Sequence, residues 1–106
     1  MRHAKIYYGD TFAGTLTEDA DGYHFEYDND YLIFDNRVAI SLTLPLQKGP
    51  YHSKILFPFF DGLIPEGWLL DVTAEVWKIN PRDRMGLLLV SCRDCIGAVR
   101  VERVNE

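Results

Sequence analysis

The chain has too few positive charges for a nucleic-acid-binding protein. Its 106 residues include 11 Lys and Arg against 16 Asp and Glu, which gives a formal net charge of −5. Proteins that bind DNA or RNA directly need clustered cations to displace counterions from the phosphates. The one local cluster, residues 78 to 84, is interrupted by Asp83 and is interpreted as a solvated turn. We therefore expect no direct contact with nucleic acid.

Long apolar runs are also missing. No stretch approaches the roughly 20 apolar residues that a helix needs to cross a bilayer. The start, "MRHAKIYYGD", lacks the apolar segment and the cleavage site of a signal peptide. The sequence therefore predicts a cytoplasmic protein without a membrane partner.

Recognisable catalytic and metal-binding motifs are absent as well. There is no glycine-rich phosphate loop, no kinase catalytic loop and no serine with a recognisable His and acid. Structural zinc needs four ligands, but the Cys pair at 92 and 95 is accompanied only by scattered histidines. We expect no catalytic residue, no metal and no cofactor, so the chain is predicted not to be an enzyme. Cys92 and Cys95 are interpreted as structural, with a metal or redox module as the less favoured alternative.

The residues that are present favour one packed domain over 1 to 106. Hydrophobic residues make up 47% of the chain and aromatic residues 13%, which is enough for a single core. Period-two alternation and turn residues predict strands at 5 to 10, 12 to 18 and 23 to 28. Alternation also predicts a strand in 38 to 49 that ends at Pro45, and a last strand at 96 to 104.

Two helices are predicted in the second half. The first covers 65 to 78, with Pro65 in its first turn and Asn80-Pro81 after its end. The second covers 83 to 91, with Asp83 as its cap and Gly86 as a weakening residue. The predicted class is α+β: an antiparallel sheet or partly open small barrel from the N-terminal half plus a C-terminal strand, with two to three helices packed on one side.

Trp68 lies beside the predicted start of the first helix, after a Pro-Glu-Gly break. A helical wheel places it on one face with Leu69, Val72 and Val76, which would close the core. A second apolar arc, formed by Leu70, Ala74 and Trp77, could serve the core instead. In that case Trp68 is free to anchor a protein interface, a common role of this residue. Both interpretations stay open at this point.

Three ordered motifs resemble a known family. "ISLTLPLQKG" (40 to 49), "FPFFDGLIPEG" (57 to 67) and "DRMGLLLVSCRDCIGAVRV" (83 to 101) are similar to the N-terminal subdomain of HipA-type serine/threonine kinase toxins. Gly62 stands where that family usually has Asn, and Cys92 takes the place of a Gly. A free-standing subdomain of this kind also resembles the HipS antitoxins of three-gene HipBST systems, in which the kinase HipT is encoded separately.

The resemblance implies a protein partner rather than a reaction. By that resemblance the chain is a non-catalytic antitoxin that binds and inhibits a HipT-like kinase toxin, and a HipB-like DNA-binding protein is a further candidate member of the complex. A structural or stabilising subunit without direct inhibition is the alternative. The segment expected near the kinase active site is "DGLIPEGW", and its candidate contact residues are Asp61, Leu63, Ile64, Pro65, Glu66, Gly67 and Trp68.

Overall fold

The core of the fold is an open five-stranded sheet. The computed structural model describes residues 1–64, 67–91 and 98–104, with the backbone alone at positions 68 and 91. The strands are β1 (Arg2–Tyr8), β2 (Thr11–Asp19), β3 (Gly22–Tyr27), β4 (Tyr51–Ser53) and β5 (Val99–Arg103). Their spatial order is β4-β3-β2-β1-β5, and every neighbouring pair is antiparallel. The predicted antiparallel sheet is confirmed, and β4 and β5 lie at its opposite edges.

The first three strands form the predicted meander because their turns contain the residues that tight turns need. At the turn between β2 and β3, Gly22 has a φ of +127°, a conformation that residues with a Cβ atom rarely adopt. An added Cβ at this position would lie 2.5 Å from the carbonyl oxygen of Ser53. Gly22 therefore permits both the turn and the close approach of the chain around β4.

In the described part of the chain, four helices cover one face of the sheet. Two are single turns, α1 (Asn29–Leu32) and α2 (Pro58–Asp61), and two are longer, α3 (Gly67–Trp77) and α4 (Arg84–Ser91). The predictions of helices at 65 to 78 and 83 to 91 agree with α3 and α4 within about two residues at each described end, whereas α1, α2 and the short β4 were not predicted. The strands and helices share one core, whose largest fully buried side chains are Tyr27, Phe25, Phe60, Ile6, Leu16, Met85, Leu87, Leu88 and Val101.

The prediction of a strand within 38 to 49 was wrong. This segment forms a turn in which the N–H of Leu44 donates to the carbonyl of Ser41 at 3.1 Å. The Ser41 hydroxyl accepts from the N–H of Thr43 at 3.2 Å, a local side-chain bond that competes with sheet formation. The apolar residues at 40 and 44 are buried, but Leu42 between them is 99% exposed. The alternation of apolar and polar residues in this segment therefore comes from a turn with a buried residue on each side, at 40 and 44, and not from a strand.

Three tyrosine hydroxyls form hydrogen bonds with the backbone of this segment, which has no neighbouring strand to pair with in the described part of the chain. Tyr27 donates to the carbonyl of Leu44 and accepts from the N–H of Ile40 at 3.1 Å. Tyr31 donates to the carbonyl of Val38 at 2.6 Å and accepts from the N–H of the same residue. Tyr51 donates to the carbonyl of Pro45 at 2.6 Å. Backbone groups that are removed from water need hydrogen-bond partners, and these hydroxyls provide the partners that a neighbouring strand would otherwise provide. We call residues 38–45 the tyrosine-bound segment.

An ionic network ties the start of α4 to the sheet. Arg2 makes a bidentate contact with Asp83, at 3.0 and 2.7 Å, and its Nε donates to Glu18 at 2.7 Å. Asp83 also caps α4, because its Oδ1 accepts from the N–H of Gly86 at 3.2 Å. The hydrogen bonds from Arg2 hold the pKa of Asp83 below its usual value, against the opposing effect of burial. The predicted capping role of Asp83 is confirmed.

Replacing Asp83 separates its two roles. Asp83→Ala removes the cap and the ion pair, and we expect it to lower the free energy of unfolding by about 2 kcal/mol. Roughly 1 kcal/mol of this comes from the cap, and the remainder is kept small because about a third of each charged side chain faces solvent. Asp83→Asn is the matched variant, since Asn caps helices well but carries no charge. It should lose about half as much stability in urea titrations at pH 7.

The pH dependence of these variants checks the ion pair directly. A carboxyl group whose pKa is lowered by folding adds stability that is present above its unfolded pKa, near 4, and that is lost as the pH falls through the folded value. Wild-type protein should therefore lose more stability than Asp83→Asn between pH 5 and 3. Equal losses in the two proteins would show that the Arg2 contact does not bias Asp83 ionisation.

The end of α3 contains a strained residue. Lys78 has a φ of +54° in a Schellman cap, where its N–H donates to the carbonyl of Glu75 and the N–H of Ile79 donates to that of Ala74. Because a Cβ atom is unfavourable in this conformation, Lys78→Gly should raise the free energy of unfolding by about 0.5 to 1 kcal/mol. Glu75→Gly, inside the same helix, should lower it by about 1 kcal/mol. Thermal melts of both variants test the assignment, and a destabilised Lys78→Gly protein would contradict it.

Candidate protein-interaction surface

The segment predicted to contact a partner begins at the end of α2. A series of turn hydrogen bonds fixes its backbone: the N–H of Leu63 donates to the carbonyl of Phe60 at 3.0 Å, and the N–H of Ile64 donates to that of Asp61 at 3.1 Å. Phe60 is fully buried and contacts the rings of Phe25, Phe57 and Phe59. The first part of the segment is thus attached firmly to the core.

Asp61 already has an ionic partner within the chain. Its Oδ1 accepts a hydrogen bond from Nε of Arg84 at 2.6 Å, and the two side chains remain 43% and 32% exposed. This pair links the end of α2 to the first residue of α4. A cation of a partner protein that approached Asp61 would have to share the carboxylate with Arg84. Asp61 should therefore attract such a cation less strongly than the sequence suggested.

The other predicted contact residues have different surroundings. Ile64 is 3% exposed and belongs to the core, and Leu63 is partly buried against it. Pro65 and Glu66 lie outside the described residues, as does the side chain of Trp68. Gly67 begins α3 with a φ of +57°. The structure therefore assigns Ile64 an anchoring position, and the contact role of the segment as a whole stays a prediction.

Helix α3 presents its apolar residues on two sides. Leu70 and Ala74 face inward, with Ala74 5% exposed and Leu70 packed against the core. Leu69, Val72 and Val76 are 53%, 37% and 69% exposed. Of the two arcs in the sequence, the one beginning at Leu70 serves the core, although its last member, Trp77, is 52% exposed. We call the three residues Leu69, Val72 and Val76 the exposed α3 face.

Sequence reasoning missed one further exposed feature. Leu42 is 99% exposed at the tip of the turn in the tyrosine-bound segment. The hydroxyl of Ser41 lies 2.9 Å from that of Thr43, so the turn is braced on both sides of Leu42. The Ser-x-Thr spacing around this residue is a turn signal, and it could have been used to predict the position.

Metal ligation and membrane insertion find no support in the part of the chain that is described. Within residues 1–64, 67–91 and 98–104, no group of three or more His, Cys, Asp or Glu is placed to hold a metal ion. The side chains of His24 and Asp19 instead form a pair, with 2.9 Å between Nε2 and Oδ2. Among the same residues, no helix is sufficiently long and apolar to span a bilayer. Cys92 and Cys95 lie outside these ranges.

Comparison with known proteins gives a consistent result over almost the whole chain. Residues 4–102 match the family model of the HipA N-terminal domain. An uncharacterised protein of Haemophilus influenzae is 36% identical over 106 residues, which are 100% of this chain and 96% of that protein. A putative kinase of Sinorhizobium fredii, Y4mE, is 28% identical over 102 residues.

The two relatives differ in how much of their length is matched. The alignment with Y4mE covers 95% of this chain but only 24% of the kinase, so the chain spans about a quarter of that protein. A solved structure, the N-terminal domain of HipA toxin, superposes with a TM-score of 0.76 and 29% identity over 100% of this chain and 95% of that one. Family model, sequence and fold agree: the chain belongs to the HipA N-terminal domain family.

Proposed function

We propose that this chain is a non-catalytic antitoxin of the HipS type, which binds a separately encoded HipA-type kinase and holds it inactive. The observation that carries the proposal is the relation to Y4mE: nearly all of this chain aligns with about a quarter of a putative kinase. A domain that packs beside catalytic regions within one protein keeps a surface complementary to them. Expressed separately, such a domain can bind the same regions in trans.

The surface around α3 suits such a role. The exposed α3 face offers three aliphatic side chains to a partner. Positions 68, 72 and 76 are spaced four residues apart, so they lie on one side of the helix. The rigid attachment of α2 and Ile64 to the core limits the entropy cost of presenting this region to a partner. We assign the contact to the segment from Asp61 to Trp68 together with the exposed α3 face.

Inhibition is proposed to occur near the phosphate-transfer site of the kinase. Kinases hold nucleotide phosphates with cations, and an acidic, apolar loop that enters this region can occupy both the apolar pocket and the cationic site. Glu66 is the better candidate for the charged contact, because Asp61 is already paired with Arg84. Trp68 is the proposed apolar anchor.

A structural subunit is the second candidate function. Such a subunit would bind the kinase and stabilise it without lowering its rate of phosphorylation. A HipB-like DNA-binding protein in the same complex is compatible with either role, and the net charge of −5 favours contact with the proteins of that complex rather than with its DNA.

Binding and kinase assays with purified proteins test the proposal. The chain is titrated into a HipT-like kinase from the same organism, and complex formation is measured by calorimetry while autophosphorylation is followed with labelled ATP. We expect a complex at micromolar or lower concentration and a rate of phosphorylation that falls as the complex forms. Binding with an unchanged rate would support the structural subunit. A failure to bind this kinase would contradict both the inhibitory and the structural role.

A further inference from the structure

Strand β5 leaves one edge of the sheet open. β5 pairs with β1 on one side, from Ala4 opposite Arg103 to Tyr8 opposite Val99. On its other side, no strand of the described residues pairs with it. The opposite edge is different, because β4 has only three residues and follows Pro50. Short strands and prolines are features that discourage pairing at an edge, and β5 has neither.

The direction of the β5 backbone groups follows from two hydrogen bonds. The carbonyl of Ala98 accepts from the N–H of Gly9 at 2.6 Å, and the N–H of Val104 donates to the carbonyl of His3 at 3.2 Å. Even-numbered residues at both ends of the strand therefore point their backbone groups toward β1. In an antiparallel ladder the alternate residues point the other way. The N–H and C=O groups of Val99, Val101 and Arg103 accordingly face the open edge.

These outward groups are arranged to pair with an identical strand. A two-fold axis beside Val101 would place this residue opposite its own copy, with both backbone hydrogen bonds exchanged. Val99 would then lie opposite Arg103 of the second copy, again as a hydrogen-bonded pair. All three outward-facing residues of each strand would find partners in this register.

The charges of β5 fit the same register. Arg100 and Glu102 lie on the sheet face away from the helices, since Val99 and Val101 point into the core. In the two-fold pairing Arg100 faces Glu102 of the second copy, twice, at the non-hydrogen-bonded positions where side chains approach most closely. The guanidinium of Arg100 lies 4.4 Å from the centre of the Tyr7 ring. Its Nε is buried and has no hydrogen-bond partner in the described part of the chain.

From this complementarity we infer that β5 is a homodimer interface, in which two copies of the chain join their sheets edge to edge into one ten-stranded antiparallel sheet. The occupant of the edge is a second copy because the strand V-R-V-E-R is complementary to itself: opposite charges meet on one face, and Val101 meets its own copy on the other. This inference concerns the chain alone and does not rest on its binding to a kinase.

A charge-reversal series on the purified full chain tests the interface. Under reducing conditions, sedimentation equilibrium should give twice the monomer mass of 12.2 kDa. Arg100→Glu and Glu102→Arg each replace two attractive cross-strand pairs by two repulsive ones, so each should weaken the dimer about tenfold or more. The double variant Arg100→Glu/Glu102→Arg restores opposite charges across the axis and should recover dimerisation. Circular dichroism confirms that each variant is folded.

Hydrogen exchange locates the contact. The amides of Val99, Val101 and Arg103 should become more protected as protein concentration rises, whereas those of the β4 edge should not change. A wild-type chain that stays monomeric at several hundred micromolar would overturn the inference. So would single reversals that dimerise as well as the wild type, or a double variant as weak as the singles. Protection of these amides only when a different protein is added would assign the edge to that protein.

Discussion

Trp68→Ala is expected to weaken binding to the HipA-type kinase roughly 30- to 1000-fold and to release kinase activity, if the proposed function holds. This range corresponds to about 2 to 4 kcal/mol, the scale of a tryptophan hot spot at the centre of an interface. The physical reason is that Trp buries a large rigid surface at small entropic cost. The measurement is a calorimetric titration of the variant into the kinase, paired with the phosphorylation assay.

Trp77→Ala is the matched control for this experiment. It removes the same side chain from the other end of α3, where Trp77 is 52% exposed, and should change binding less than about threefold. Both variants are compared with the wild type in urea unfolding. A Trp68→Ala protein that is simply unfolded would favour the interpretation of Trp68 as a core residue. A folded variant that binds and inhibits like the wild type would remove Trp68 from the proposed contact.

Tyr27→Phe should lower the free energy of unfolding by about 3 kcal/mol, a large effect for the loss of one oxygen atom. The hydroxyl of Tyr27 serves two backbone groups of the tyrosine-bound segment, the carbonyl of Leu44 and the N–H of Ile40. All three residues are at most 6% exposed. Water cannot readily replace the hydroxyl there, and each unsatisfied buried group costs about 1 to 3 kcal/mol.

Tyr51→Phe provides the comparison for this prediction. Its hydroxyl binds the carbonyl of Pro45 at an exposed site, where water takes over the bond, so the loss should stay below about 0.5 kcal/mol. Urea unfolding measures both variants, and faster exchange of the Ile40 amide in Tyr27→Phe would show where the structure loosens. Equal stabilities of the two variants would contradict the role assigned to Tyr27.

Alkaline pH offers an independent test of the same site. Burial raises the pKa of the Tyr27 hydroxyl above its usual value, and the hydrogen bond from the Ile40 N–H partly opposes this. A tyrosine with a raised folded pKa adds stability that is fully present below the unfolded pKa, near 10, and that is lost as the pH rises through the folded value. The difference in stability between wild type and Tyr27→Phe should therefore shrink above pH 10.

The elements with a clear periodic signal were predictable from the sequence. The meander followed from alternation and turn residues in 5 to 28, and α4 followed from Asp83 as a cap. The sequence did not predict α1 and α2, because a single helical turn is too short to show a period of 3.6 residues. The strand β4 was missed because its three residues are too few to show the alternation of a strand.

The tyrosine-bound segment and Gly86 show what local reasoning cannot provide. Alternation in 38 to 45 predicted a strand, because it could not reveal that distant hydroxyls would bind the backbone instead. Gly86 was interpreted only as a residue that weakens its helix. In the structure a Cβ at this position would lie 2.4 Å from Oδ2 of Asp83, so glycine makes room for the carboxylate that caps α4 and binds Arg2.

The candidate site was predictable in outline but not in detail. The family motif located the segment from Asp61 to Trp68, and the helical wheel separated two apolar arcs on α3. Which arc enters the core depends on how α3 packs, and the structure places Leu70 and Ala74 there. The pairing of Asp61 with Arg84 joins residues far apart in sequence, and nothing in the local sequence around Asp61 indicated it.

The position of β1 has a consequence for how the protein is made. β1 lies between β2, its nearest neighbour in sequence, and β5, the last strand of the fold. Its second ladder places Ala4 opposite Arg103, across almost the entire polypeptide. During synthesis, the first hairpin leaves the ribosome with one side of β1 uncovered, and that side stays uncovered until the final strand emerges. Closing so long a loop is slow, so this side of the first hairpin is covered only late in folding, although the protein is small.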